Sequence, residues 1–416
     1  NSALGQSHDD KRPHAWCEYG YPAKIDNHQL DSMFERNSIA HGVVSHLRAK
    51  CWQSLPDIIE GEPSDETRDV TAWERSIRDV SESKIFPAVR DAQEYYHTFG
   101  WSGVILQLKD SRAWDQPVTR GKKELLRAIP VKPTQLKAGE IDVNERSENY
   151  GQPKNWTYID SCDGVAISER VIHPDRIVFF GDWRRPKSLL TPCYNNLINI
   201  EKIEGGSGES YLKNASRQFA ISFDKDIDMR QMAADMGIQP SELHTVFDDT
   251  AKEMNRGNDS ILALKGATAT PLVATVPQPK EHYEMNLSSI AAATTIPMKI
   301  ISGMQTGERA STEDNRQFSG LAMSVRINDL TPFIRGIYDR LMRHGVIETM
   351  EYSVIWGDLM SATEAERIAL AKEMANTNSL AASTSGPVFT PEEIRTAAGF
   401  TNDDFEPLPE PNEDQE

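Results

Sequence analysis

The sequence predicts an α+β chain, and three patterns carry that prediction. Apolar residues recur at helical spacing in long segments towards both ends of the chain. Short strand-like runs, separated by Pro and Gly, fill 120–182, and a second mixed module occupies 217–276. With 416 residues, 38% of them hydrophobic and 26% charged, the chain has ample material for a core.

Residues 27–55, NHQLDSMFERNSIAHGVVSHLRAKCWQSL, place Leu30, Phe34, Ile39, Val43, Val44, Leu47 and Cys51 mostly at three- and four-residue intervals, with a break near Asn37. A second helical region covers 71–99, where Trp73, Ile77, Val80, Ile85, Val89 and Tyr96 recur. GWSGVILQLKD (100–110) then switches to a β-rich run closed by a charged turn. LLRAIPV, NWTYID and DRIVFFGD read as strands, LLTPCYNNLINIEKI (189–203) as a helix, and GGSGES (205–210) as a turn.

The mixed module has the strand QFAISF, helical pieces at 226–236 and 241–255, and the strand pair ILALKG and PLVATV. HYEMNLSSIAAATTI (282–296) is a short helix with Tyr283, Leu287 and Ile290 on one side. After about a dozen polar, Gly-containing residues, a long helix runs from about 312 to 343. Pro332 falls inside it, removes one backbone bond and crowds the carbonyl of Asn328, which predicts a kink. EYSVIW (351–356) is a strand and 361–380 an amphipathic helix; Thr390 caps a last helix that starts at Pro391. The acidic end is expected to be disordered.

Charge narrows the function. The net charge is −18, from 45 basic and 63 acidic residues. Seven acids fall in the last 16 residues, and without them the first 400 still stand at −11. Such a chain does not grip nucleic acid over its whole surface by phosphate neutralisation. No apolar run approaches the ~18 residues of a membrane helix, so no membrane partner is expected. Cys17, Cys51, Cys162 and Cys193 form no CxxC pair, which fits reduced thiols better than a disulfide or zinc framework.

Nothing points firmly to catalysis. GGSGES lacks the Lys-Ser/Thr ending of a nucleotide loop and follows a helix. DKDID (224–228) with Asp235 matches part of a calcium-loop frame, but Met229 stands where that frame needs Gly. The ten histidines make no HExxH, and no nucleophile signature is present. No cofactor, metal or catalytic residue is therefore expected. Arg120, Lys122 and Lys123, and Arg184, Arg185 and Lys187, read either as charged loops or as phosphate contacts.

Several segments, in order, resemble the portal proteins of tailed bacteriophages. YGYPAKID with MFERNSIAHGVVSHLRAKCW, EYYHTFGWSGVILQLKD, SENYGQPKNWTYID followed by ISERVIHPDRIVFFGDW, TTIP…SGMQTGERASTEDNRQFSGL, and YSVIWGDLMSATEAERIALAKEMA carry the likeness. The resemblance implies an α/β wing at 1–188, stem helices at 189–216 and 280–297, and a mixed α/β clip at 217–279. It further implies a tunnel loop at 298–312, a long kinked helix with wing return at 313–360, and a small helical crown with acidic tail at 361–416.

It also implies a homo-oligomeric ring of about twelve copies at one capsid vertex, passing double-stranded DNA non-specifically. Expected partners are the terminase motor, the major capsid protein and a tail adaptor, with assembly in the host cytoplasm. The residues expected to face DNA are Lys299, Ser302, Gln305, Thr306, Glu308, Arg309 and Arg316, with Lys299 and Arg309 foremost. Two alternatives stay open: another virion connector or scaffold, and a nucleotide- or nucleic-acid-processing enzyme.

Overall fold

The computed structural model describes residues 18–62, 69–121, 123–147, 149–162, 165–215, 219–223, 228–256, 267–271, 278–303, 308–360, 364–381 and 386–400. Helix α1 (Asn27–Arg36) starts with a capping box, in which Asp26 and Gln29 satisfy each other's backbone N–H groups. Asn37 then ends α1 and caps α2 (Ser38–Cys51), its Oδ1 accepting from Ile39 N (3.1 Å) and Ala40 N (3.0 Å). One residue thus makes the break that the sequence places there. After strand β1 (Asp57–Glu60), α3 (Ala72–Val80) runs through a π turn (Ser81–Ile85) into α4 (Phe86–Phe99).

Strand β2 (Ser102–Leu108) is the centre of a three-stranded antiparallel sheet with β3 (Leu125–Val131) and β7 (Ile177–Phe180), in the order β3-β2-β7. A second such sheet has the order β4-β5-β6, from β4 (Leu136–Ala138), β5 (Trp156–Cys162) and β6 (Val165–Ile172). Side chains of β2 alternate between two cores. Val104 and Leu106 enter the main core, which holds α2, α4 and much of the C-terminal half. Ile105 joins Trp101, Val131, Trp156 and Ile177 between the two sheets. Burial on both faces explains why β2 reads as a continuous apolar run rather than an alternating one.

Helix α5 (Tyr194–Ala215) leaves this body and passes straight through GGSGES. The turn expected there is therefore helix. Each helical Gly weakens a helix by up to about 1 kcal/mol, so the three are carried by the turns on either side. A phosphate cradle is excluded with the turn. Strand β8 (Phe219–Phe223) pairs antiparallel with β9 (Ala267–Pro271), α6 (Met229–Asp235) and α7 (Leu243–Arg256) lying between them in sequence. Of the expected strands ILALKG and PLVATV, only Pro271 is described, at the end of β9; the rest lies outside the described residues. Of DKDID, only Asp228 is described. It caps α6 by accepting from Arg230 N at 2.9 Å.

The chain returns through α8 (Pro279–Thr294), α9 (Met298–Ser302) and α10 (Glu308–Val325). A second π turn (Arg326–Leu330) leads into α11 (Thr331–His344). Pro332, where a kink is expected, follows this π turn by two residues. Thr331 N–H reaches back five residues to Arg326 O, so the ladder widens just ahead of the residue that has no N–H to give. Strand β10 (Tyr352–Ile355) pairs with β1, which had no clear signal of its own.

Helix α12 (Glu364–Ala381) packs against α13 (Pro391–Ala398), which Thr390 caps as expected. It is not amphipathic, because Ile368, Leu370 and Leu380 are exposed while Ala371 is buried. The acidic end, 401–416, lies outside the described residues.

The start of α5 is anchored on the end of α4. Gly100 takes φ +89°, and a Cβ there would sit 2.3 Å from Lys187 N, so only glycine fits. The carbonyls that the end of a helix leaves without partners are taken by the segment leading to α5: His97 O by Leu189 N (2.9 Å), Thr98 O by Ser188 Oγ (2.6 Å) and Gly100 O by Lys187 N (3.4 Å).

Candidate DNA-channel interface

Helices α5 and α8 pack together along an apolar seam of Leu197, Ile200, Leu287 and Ile290, all buried. Their outer surface is acidic, with Glu201, Glu204, Glu281 and Glu284 exposed. The described lysines beside them are engaged. Lys202 donates to Tyr19 O at 2.9 Å and lies over the Tyr21 ring, and Lys280 sits 3.8 Å from Glu284. Burial first, and then the charge of Glu204, push the Tyr283 hydroxyl pKa up. This pair presents negative charge rather than a phosphate-gripping surface.

Helix α8 ends in a sharp reversal. Thr295 adopts φ 58°, a left-handed conformation that costs a β-branched residue about 1 kcal/mol or more. Buried Ile296 follows, and Pro297 stands ahead of α9 with its carbonyl accepting from Ile300 N (2.9 Å). Ile301 is buried and α9 packs against α2, which fixes this short helix on the body.

Here the structure corrects the expected loop. Residues 298–302 are helical because Ile301 supplies an apolar anchor, and α10 begins at Glu308, four residues before the predicted start. Of the expected 298–312 loop this leaves 303–307 between the two helices, of which 304–307 lie outside the described residues. Gly303, at φ 67°, makes the exit from α9.

The predicted DNA-facing residues separate accordingly. Lys299 is paired with Asp314 at 3.5 Å, both side chains partly buried, so this ammonium staples α9 to α10. Ser302 has a buried hydroxyl without a hydrogen-bond partner among the described residues, and it points into the protein rather than to solvent. Gln305 and Thr306 lie outside the described residues. Glu308 and Arg309 belong to the first turn of α10, and their side chains lie outside the description. Arg316 is exposed on α10, flanked by exposed Glu313, Asn315 and Gln317.

Sequence reasoning missed Asp314 as the partner of Lys299, because a staple between two helices leaves no spacing rule to read. It also missed Arg326, fully buried in the second π turn. Its guanidinium donates to Cys51 O (2.8 Å), Gly357 O (2.7 Å) and Ser54 O and Oγ (3.3 and 3.1 Å), and lies 4.8 Å from the Trp356 ring centre. No carboxylate pairs with it among the described residues, and burial lowers its pKa from the ordinary guanidinium value. No described group of His, Cys, Asp and Glu is arranged to hold a metal, and no described helix is long and apolar enough to cross a membrane.

The model of one family, described as phage portal protein, matches residues 28–380. Among curated proteins, none matches the chain. Among solved structures, the chain is similar to one in the neck of a native gene transfer agent particle computed with C12 symmetry (TM-score 0.49, 14% identity, 90% of this chain and 94% of that one). It is similar to one in the virion of a native gene transfer agent particle (0.48, 14%, 91% and 94%). A third is in the neck of an empty particle computed with C6 symmetry (0.49, 14%, 91% and 94%).

Proposed function

The chain belongs to the phage portal protein family, and from that premise we propose that it forms a closed ring of about twelve copies around a channel for double-stranded DNA. In this reading the ring sits at one capsid vertex and serves genome packaging, retention and ejection. It docks a packaging motor first and a tail adaptor later, and it seats in the major capsid protein. The protein acts as a conduit rather than an enzyme.

The observation that carries the reading is the family match over most of the chain. Physical features agree with it. Helices α5 and α8 bury one side against each other and leave another for neighbouring copies, as a ring of identical subunits requires. Their acidic exposed surface would let a duplex slide, whereas a strongly basic lining would hold it. The segments proposed as wing (1–188), stem (189–216 and 280–297), clip (217–279) and crown (361–416) follow the order of these elements. The channel-facing part is then the shortened connection around Gln305 and Thr306, with Arg309 and Arg316 beside it. Lys299 moves from DNA contact to holding that connection in place.

Negative-stain imaging and mass measurement of the purified chain test this. Rings with a central hole and a mass of about twelve subunits are expected. Compact monomers at every concentration would sink the proposal.

A further inference from the structure

The seam between α5 and α8 contains a carboxamide cluster that no motif announced. Asn286, 4% exposed, accepts at Oδ1 from Nδ2 of Asn196 (3.1 Å) and of Asn199 (3.2 Å), and donates from its own Nδ2 to His282 O (2.8 Å). Asn199 in turn accepts from the Tyr21 hydroxyl at 2.8 Å, which ties the segment ahead of α1 into the same cluster.

An aliphatic seam is tolerant of sliding, since Leu and Ile can fill one another's places. A hydrogen-bonded cluster is not. If α8 slipped one helical turn along α5, about 5.4 Å, Asn286 would leave Asn196 and Asn199 for the level of Ile200 and Ile203. Its oxygen and their amides would then be buried or half-buried without partners, at about 1–3 kcal/mol per group.

We infer that Asn286 is a positioning residue, whose bonds to Asn196 and Asn199 select a single register of α8 on α5. That register sets where Thr294 and the reversal after it meet the body, ahead of α9 on α2.

The test uses the full chain with spin labels at Glu204→Cys on α5 and Ala293→Cys on α8, exposed sites towards opposite ends of the pair. Cys17 and Cys162 are replaced by Ser. Cys51 and Cys193 are left in place, because burial pushes their thiols up to about 11 and about 12 and keeps them unreactive. Double electron–electron resonance, on labelled subunits diluted in unlabelled ones, should give one narrow distance. Asn286→Leu should add a second population about 5 Å away, whatever it does to the thermal midpoint.

A residue that merely stabilised the pair would lower the midpoint and leave one distance. One unchanged distance in Asn286→Leu overturns the inference. Should that variant fail to fold, Asn286→Ala is read in the same way, with the same outcome overturning it. The distance lies within one chain and is measured alike in rings and monomers, so failure to form rings bears on the ring reading alone.

Discussion

Two helices of this protein contain the same backbone device and use it differently. Each π turn, Ser81–Ile85 and Arg326–Leu330, ends two residues ahead of a proline, Pro87 or Pro332. In both, the residue before the proline donates to a carbonyl five residues back, Phe86 to Ser81 and Thr331 to Arg326. The side chains divide the roles. In the first turn, the Ser81 hydroxyl donates to Ile77 O and shares a short hydrogen bond with the Tyr338 hydroxyl, joining the turn to α11. In the second, Arg326 gathers carbonyls from two separate segments, Cys51 and Ser54 at and just after the end of α2 and Gly357 after β10, and Thr331 Oγ1 bonds both Arg326 O and Trp356 Nε1. A proline explains the widened backbone in each case. Only the side chains explain why one turn is a simple contact and the other a junction of α2, α10 and the segment after β10.

The sharpest way to break this distinction is Arg326→Met. It leaves the buried Cys51 carbonyl and those of Ser54 and Gly357 without that donor, and a loss of about 3 kcal/mol is expected in chemical denaturation. A loss under about 1 kcal/mol would make the two turns equivalent.

Acid should weaken the first region and not the second, where burial raises the pKa of Asp329 and protonation favours the fold. His97, near the end of α4, is buried and neutral, with Gln93 Nε2 3.1 Å from its Nε2 and its pKa lowered by burial to about 4. Between pH 6.5 and 4 the unfolded chain binds a proton that the folded chain refuses. Stability is therefore complete above pH 6.5 and falls by up to about 3 kcal/mol towards pH 4. Denaturation across that range should show this slope, and His97→Gln should remove that share of it; an unchanged slope in the variant refutes the assignment. The smallest effect is expected for Tyr338→Phe, about 1 kcal/mol by thermal unfolding, because Ser81 keeps its bond to Ile77 O. A larger loss than that from Arg326→Met would reverse the comparison.

What could be read from the sequence followed local rules. The Asn37 break, the capped start at Pro391, the buried run of β2 and most helices were legible because caps and periodicity are properties of a few neighbouring residues. The errors came where tertiary packing decided. Met298–Ser302 looks like loop until Ile301 finds a place against α2, and GGSGES looks like a turn until helix on both sides carries it. Among the residues expected to face DNA, the packing was not legible. Lys299 reads as a free cation, and only the fold brings Asp314 beside it. Arg326 and the Asn196–Asn199–Asn286 cluster have no local pattern, since their partners lie between 31 and 275 residues away.

The π turn in the long helix has one consequence for how its sequence is counted. Before it, buried positions centre on Phe318–Ser319, Ala322 and Val325–Arg326; an unbroken α-helix would continue near 329, 333, 336 and 340. After it they centre on Leu330, Phe333–Ile334, Ile337–Tyr338 and Leu341–Met342, about one residue late. The turn therefore absorbs a single extra residue as a phase correction of about 100°, and both halves of the helix keep their apolar side towards the same core. A one-residue stutter in an otherwise regular helical pattern, shortly ahead of a proline, is the written trace of that correction.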